Sequence, residues 1–207
     1  MKKYSKAGLL IVTLVIPALI FTFLRFFATN HYNIPHYFPL TDTKGDVRMN
    51  GKDTLFYKVE SLKVQNPFNG KLTVVHYQPE ICEDSCEIVL ANLERIYDLR
   101  TGIKSINLLT VCDSITNVSN IKSSSIHREG WSVLKLSPEN LKNVLFEELK
   151  FQTEIPKAKT NSVKSKLVLI DEEEHIRGYY NGFDKEEIDR LMAEIKILDF
   201  EKGSVSQ

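Results

Sequence analysis

Three cysteines, Cys82, Cys86 and Cys112, are the side chains of this 207-residue chain with the widest chemical reach. Two of them stand together as C-E-D-S-C, directly after a β-rich run and at the head of a segment with helical periodicity. At a helix start, unsatisfied N–H groups and the positive end of the helix dipole lower a thiol's pKa and favour the thiolate, the species that attacks disulfides and binds soft metals. Cysteines four residues apart on a helix share a face and are separated by about 6 Å of rise, within reach of a disulfide if the first lies in the entry turn. Two such thiolates also suit Cu(I). On spacing alone a fixed disulfide stapling the helix end fits equally. Cys112 closes an apolar run, where it acts either as a small buried hydrophobe or as a resolving thiol and third sulfur at a shared strand edge.

Two histidines could add nitrogen to that site. His76 precedes Cys82 by six residues, within a strand whose alternation leaves its face undecided, and His127 precedes Trp131 in a loop. His175 falls in a hairpin turn and is expected in solvent, and His31 and His36 fall in a tether. Neither a Gly-rich phosphate loop nor H-E-x-x-H nor G-x-S-x-G occurs, so hydrolase and nucleotide-dependent chemistry lacks an anchor. The 27 Lys and Arg against 27 Asp and Glu leave a net charge of zero, which removes the electrostatic footprint of nucleic-acid binding.

The elements that must position the cysteines follow from periodicity. LFYKVESL (residues 55–62) and KLTVVHYQ (71–78) are β-rich, the second following the turn Asn69-Gly70. In CEIVLANLERIYDL, Val89, Leu93, Ile96 and Leu99 fall at near-helical spacing, and Gly102 follows as a stop. INLLTVC is the continuous apolar run of a buried strand, and WSVLKL is a shorter one. Ser137-Pro138-Glu139 caps a helix predicted to reach Leu149, with proline at its first position. KLVLID and HIRGYY predict a hairpin around Glu172–Glu174, and Asp184 caps a last helix burying Ile188, Leu191, Met192, Ile195 and Leu198. Strand, helix, strand, then hairpin and helix describe an α/β sandwich of thioredoxin-like order.

The N-terminus differs in kind. AGLLIVTLVIPALIFTFL carries no charge and, with Phe26 and Phe27, approaches the roughly 20 residues that cross a bilayer as a helix. Lys2, Lys3 and Lys6 precede it, which predicts a cytoplasmic N-terminus and an extracytoplasmic globular part, periplasmic in a bacterium. Arg25, Phe26 and Phe27 stand where a cleavable signal peptide wants small residues, so an uncleaved anchor is expected. The predicted organisation is a cytoplasmic start (1–6), a transmembrane anchor (7–27), a tether (28–37), one domain (38–200) and a flexible tail (201–207). An extracytoplasmic domain also agrees with a disulfide that persists.

Gly70-Lys71 before KLTVVHYQPEICEDSC, the strand LLTVCDS, Trp131 in WSVLKL and the closing LVLIDEEEHIRGYYNGFDKEEIDRLMAEIKIL together resemble the Sco/SenC family over most of residues 38 to 198. The resemblance implies a membrane-anchored thioredoxin-fold protein that binds copper and assists assembly of the CuA centre of cytochrome c oxidase, as copper carrier, thiol reductant or both. It makes Cys82 and Cys86 the redox and Cu(I)-binding pair, and an oxidase subunit or another thiol or copper protein the partner. The family's third ligand is a histidine shortly before the strand KLVLID, and here Ser162 or Val163 stands in its place. Where the family carries Cys-Pro dipeptides, Glu80-Ile81 precedes Cys82 and Glu87 follows Cys86, and acid beside a thiol opposes its ionisation. Two other readings stay open: a non-catalytic interaction module with a structural disulfide, and a general thiol oxidoreductase without copper.

Overall fold

The structure, a computed structural model, describes residues 8, 11–27, 33–60, 68, 70–79, 84–114, 128–151 and 165–205. Its chain divides into two units, Met1–Asn33 and Ile34–Gln207.

In the first unit, Ile11–Val15 form a π-helical turn that leads into α1 (Ile16–Phe27). Pro17 has no N–H to offer and its ring crowds the carbonyl four residues back, which accounts for the widened turn just before α1. Among the described residues no helix is long and apolar enough to cross a membrane. Of the segment expected to form one helix over 7–27, residues 11–27 are helical without a break, the π turn passing directly into the 12 residues of α1. Of its described side chains, Leu19, Ile20, Phe21 and Phe23 are exposed.

The second unit is built on a five-stranded sheet in the order β5-β4-β3-β6-β7. These strands are β3 (Leu72–Gln78), β4 (Ile106–Asp113), β5 (Trp131–Leu136), β6 (Lys166–Ile170) and β7 (Ile176–Asn181). β3 and β4 pair in parallel, as do β4 and β5, while β6 runs antiparallel to β3 and β7 antiparallel to β6. A small antiparallel ribbon, β1 (Met49–Asn50) and β2 (Asp53–Thr54), lies outside this sheet. β3, a crossover helix, parallel β4 and a terminal hairpin with its helix give a thioredoxin-like α/β fold.

Strand alternation divides the core between the two faces. Leu72 and Val74 of β3 join Leu108 and Trp131 beneath α2 (Asp84–Asp98) and α4 (Lys185–Val205), which contribute Val89, Leu93, Ile96, Ile188, Leu191 and Ile195. Val75, Leu109 and Val168 form the opposite core with Val59, Phe68, Leu145 and Phe151. The second face is covered by α3 (Pro138–Asn143), capped by the Ser137 hydroxyl accepting from the Asn140 N–H, and by the π turn Val144–Glu148 that carries the predicted helix on to Leu149. Asp184 caps α4 by accepting the Glu186 N–H at 2.9 Å.

Four expectations differ from what is observed. The described residues of LFYKVESL, 55–60, contribute only isolated bridges, Phe56 to Pro39 and Lys58 to His175. The packed unit takes in residues 34–37 of the expected tether: Ile34 is buried in the core, and the Tyr37 N–H donates to the Ile176 carbonyl. α4 continues past Phe200 to Val205, with Lys202 salt-bridged to Glu172 at 2.6 Å. His175 is largely covered rather than solvated, with 16% of its side chain exposed, and its ring meets His36 and Phe56.

Candidate functional site

Cys86 lies in the first turn of α2, on the stripe continued by Val89, Leu93 and Ile96 that packs against the sheet. Hydrophobic spacing therefore turns the sulfur inward, and Cys86 is only 8% exposed. It is disulfide-bonded, whereas Cys112 is free and buried. Cys82 lies outside the described residues, as do His127, Ser162 and Val163.

What faces Cys86 is set by the carboxyl ends of the parallel strands, the usual place for a site in such a sheet. Gln78, the last residue of β3, is buried, and its amide nitrogen is 3.8 Å from Cys86 Sγ and 3.4 Å from the Pro79 carbonyl. In the parallel register Gln78 pairs with Cys112 and His76 with Thr110. Gln78 and His76 share the parity of Leu72 and Val74, so both belong to the sheet face covered by α2. This decides the question alternation left open: His76 is on the side of Cys86, two residues inward from Gln78. Cys112 has the parity of Leu108 and lies on that face too, one strand over.

The electrostatics are those of a dry edge. Burial pushes the His76 imidazole down to about 3, so its ring is neutral, and its Nδ1 has no hydrogen-bond partner among the described residues. Burial also pushes the Cys112 thiol up; Lys135, its register partner on β5, opposes that shift and Asp113 adds to it. The Cys112 sulfur contacts the Leu134 carbonyl at 3.8 Å. Thr110, next to His76, accepts the Trp131 indole N–H at 2.9 Å, which satisfies the one polar group of that ring in the core.

Two packing contacts fix α2 over this edge. Gly182, just after β7, lies against Val89, and its carbonyl accepts from the Asn92 side chain at 2.8 Å. Arg95 on the same helix pairs with Asp189 of α4 at 2.7 Å. The site thus joins a disulfide sulfur, a buried amide, a neutral imidazole and a second thiol on one sheet face. Gln78 escaped sequence reasoning because glutamine in a strand carries no motif; its parity with Leu72 and Val74 is the signal that could have found it.

A parallel βαβ unit with a disulfide at its crossover helix and a closing hairpin and helix defines the class as thioredoxin-like. Neither a protein-family model nor a curated protein sequence matches the chain. Solved structures that it resembles include Sco/SenC family proteins and thioredoxin-like thiol-disulfide oxidoreductases, at 14–16% identity for those named here. One is a Sco/SenC family lipoprotein from Bacillus anthracis, with 14% identity, coverage of 82% of this chain and 96% of that one, and a TM-score of 0.48. Another is BsSco, of the Sco family of cytochrome c oxidase assembly proteins, with 14% identity, coverage of 82% and 94%, and a TM-score of 0.49. A thioredoxin domain of a thiol-disulfide oxidoreductase from Bacteroides vulgatus is similar at 16% identity, with coverage of 78% and 94% and a TM-score of 0.45.

Proposed function

We propose that this chain is a Sco-like protein that exchanges electrons through Cys82 and Cys86 and hands Cu(I) to a partner during maturation of a cytochrome c oxidase. The observation that carries the reading is the disulfide at Cys86, on the first turn of α2 and against the carboxyl end of β3. Of three cysteines Cys112 is free, so we assign Cys82 as the other sulfur of the bond.

In the reduced chain the Cys82 thiolate attacks a sulfur of the partner's disulfide, forming a mixed disulfide and releasing one partner thiolate. Cys86 then attacks the Cys82 sulfur, closing the intramolecular bond and releasing the second partner thiolate, so two electrons pass to the partner. The burial of Cys86 suits the resolving role and leaves the attacking role to Cys82. As cargo, Cu(I) takes the two thiolates and leaves by exchange onto a partner's sulfurs. With Ser162 or Val163 where the family's histidine stands, the two thiolates hold Cu(I) in preference to Cu(II), which wants a nitrogen or oxygen set; His76, neutral and on the same sheet face, is a candidate third ligand. The partner is an oxidase subunit or another thiol or copper protein.

The apolar segment ending at Phe27 attaches the chain to a membrane, with Lys2, Lys3 and Lys6 on the cytoplasmic side and the sheet domain outside. The exposed apolar side chains of α1 support this.

The test is the reduction potential of the full chain in detergent, together with Cu(I) titration of the reduced form. A potential near thioredoxin-like values, about −270 to −180 mV, and one equivalent of Cu(I) lost in Cys82→Ser and Cys86→Ser are expected. The burial of Cys86 favours one rival, a docking module with a structural disulfide, which a potential below about −300 mV and no Cu(I) uptake would establish.

A further inference from the structure

A second group of ligand-bearing side chains has no part in the thiol chemistry. His36 on the segment leading into the domain, Asp171 after β6 and His175 before β7 each offer one ligand atom, and these atoms lie within 4.8 Å of one another. His175 Nδ1 is 3.6 Å from Asp171 Oδ2, and His36 Nε2 is 3.8 Å from the same oxygen. Both separations are too long for hydrogen bonds. The His175 nitrogen is nevertheless buried and has no hydrogen-bond partner among the described residues.

The carboxylate between the rings is held from behind. Asp171 is 3% exposed; its Oδ1 accepts the Glu173 and His175 N–H groups at 3.0 and 2.8 Å, and its Oδ2 accepts from Arg177 at 3.1 Å. Arg177 also donates to the carbonyls of Ile34 and Pro35, at 2.7 and 3.2 Å, which pins the segment bearing His36 beside the hairpin. Phe56 stacks on His36, with ring centroids 4.8 Å apart, and forms the apolar wall. Hydrogen bonds that orient a ligating carboxylate, and an apolar shell around it, are the supports a metal site requires.

We propose that His36, Asp171 and His175 bind a divalent transition-metal ion of the zinc type. Zinc takes imidazole nitrogen and carboxylate oxygen at about 2.0–2.1 Å, so neighbouring ligands of a tetrahedral ion stand about 3.4 Å apart. The two measured separations from Asp171 Oδ2 exceed that by a few tenths of an ångström, and the half-exposed ring of His36 can turn to close the third. Two imidazoles and one carboxylate leave one coordination position open. Arg177 stays in the outer shell, holding the carboxylate in place. The group contains no sulfur, and the proposal stands independently of the cysteine reading.

The experiment is calorimetric titration of the oxidised full chain, in detergent, with zinc chloride, alongside the absorption spectrum of the cobalt(II) form. One equivalent of zinc is expected, with affinity reduced about tenfold or more in His36→Gln and in His175→Gln. Cobalt is expected to show ligand-field bands without a sulfur charge-transfer band. The double variant Cys82→Ser/Cys86→Ser takes up zinc unchanged, which separates this site from the thiol pair. No zinc uptake by the folded wild type, uptake unaffected by both histidine changes, uptake lost with the cysteines, or a sulfur charge-transfer band each overturns the proposal. If His175→Gln does not fold, His36→Gln, at a ring on the surface, decides the matter alone.

Discussion

The amide nitrogen of Gln78 lies 3.8 Å from the sulfur of Cys86, and the backbone of the same Gln78 is in register with Cys112. One buried residue at the end of β3 therefore touches the disulfide and neighbours the free thiol. The contact has a consequence for redox poise. An N–H directed at sulfur stabilises a thiolate, hence the reduced form, and so raises the reduction potential. Gln78→Leu is expected to lower the potential by about 20 mV, the equivalent of about 1 kcal/mol for one lost hydrogen bond. Gln78→Glu, which sets a carboxylate beside the sulfur, should lower it further. Equilibration with dithiothreitol measures both, and an unchanged potential in the two variants removes Gln78 from the site.

Cys112 offers a separate test of whether a third sulfur takes part. The thiol is buried and its pKa is raised by that burial. With the disulfide closed, iodoacetamide is expected to modify Cys112 at least about a hundredfold more slowly in the native chain than in urea, since reaction requires local opening. Rapid native labelling, read by mass spectrometry, would restore the resolving-thiol reading.

The neutral imidazole of His76 predicts a specific acid sensitivity. Its folded-state pKa of about 3 lies below the ordinary 6.5, so between those values the unfolded chain binds the proton and the folded chain does not. Stability from this residue is complete above pH 6.5 and falls as the pH drops toward 3, with a slope approaching about 1.4 kcal/mol per pH unit. His76→Leu should flatten that limb in urea unfolding of the copper-free, oxidised chain at a series of pH values. Parallel curves for wild type and variant would mean that His76 accepts its proton without unfolding.

Gly182 tests how α2 is seated. A Cβ there would stand 2.9 Å from the Ser165 carbonyl oxygen and 3.2 Å from the Val89 methyls, and the first of these is backbone that cannot step aside. Gly182→Ala is expected to cost about 1–3 kcal/mol, as overpacking usually does, seen as a lower melting temperature by circular dichroism. Gly45→Ala provides the contrast, because open space surrounds that glycine and only its φ of +88° is strained. Equal melting temperatures for wild type and Gly182→Ala would mean that the helix moves aside freely.

Local pattern alone placed β3, α2, β4, β5, the terminal hairpin and α4, because buried elements of an α/β sheet carry strong patterning: Val89, Leu93 and Ile96 recur at helical spacing, and INLLTVC is apolar but for Asn107 and Thr110. Capping chemistry was equally local, so Ser137, Pro138 and Asp184 mark helix starts from sequence by themselves. LFYKVESL has the composition of a strand, yet its described residues pair only through isolated bridges, since whether a β-rich run joins a sheet is set by its neighbours in the fold rather than by its own composition.

The side of the sheet on which His76 lies, the approach of Gln78 to Cys86 and the gathering of His36, Asp171 and His175 all required the fold. Each depends on parity and register between segments far apart in sequence, such as residues 36 and 175, and a linear reading has no term for that distance. Sequence determined which residues could do chemistry, because side-chain type is local. Tertiary structure decided which of them meet, because burial and contact are properties of the packed chain.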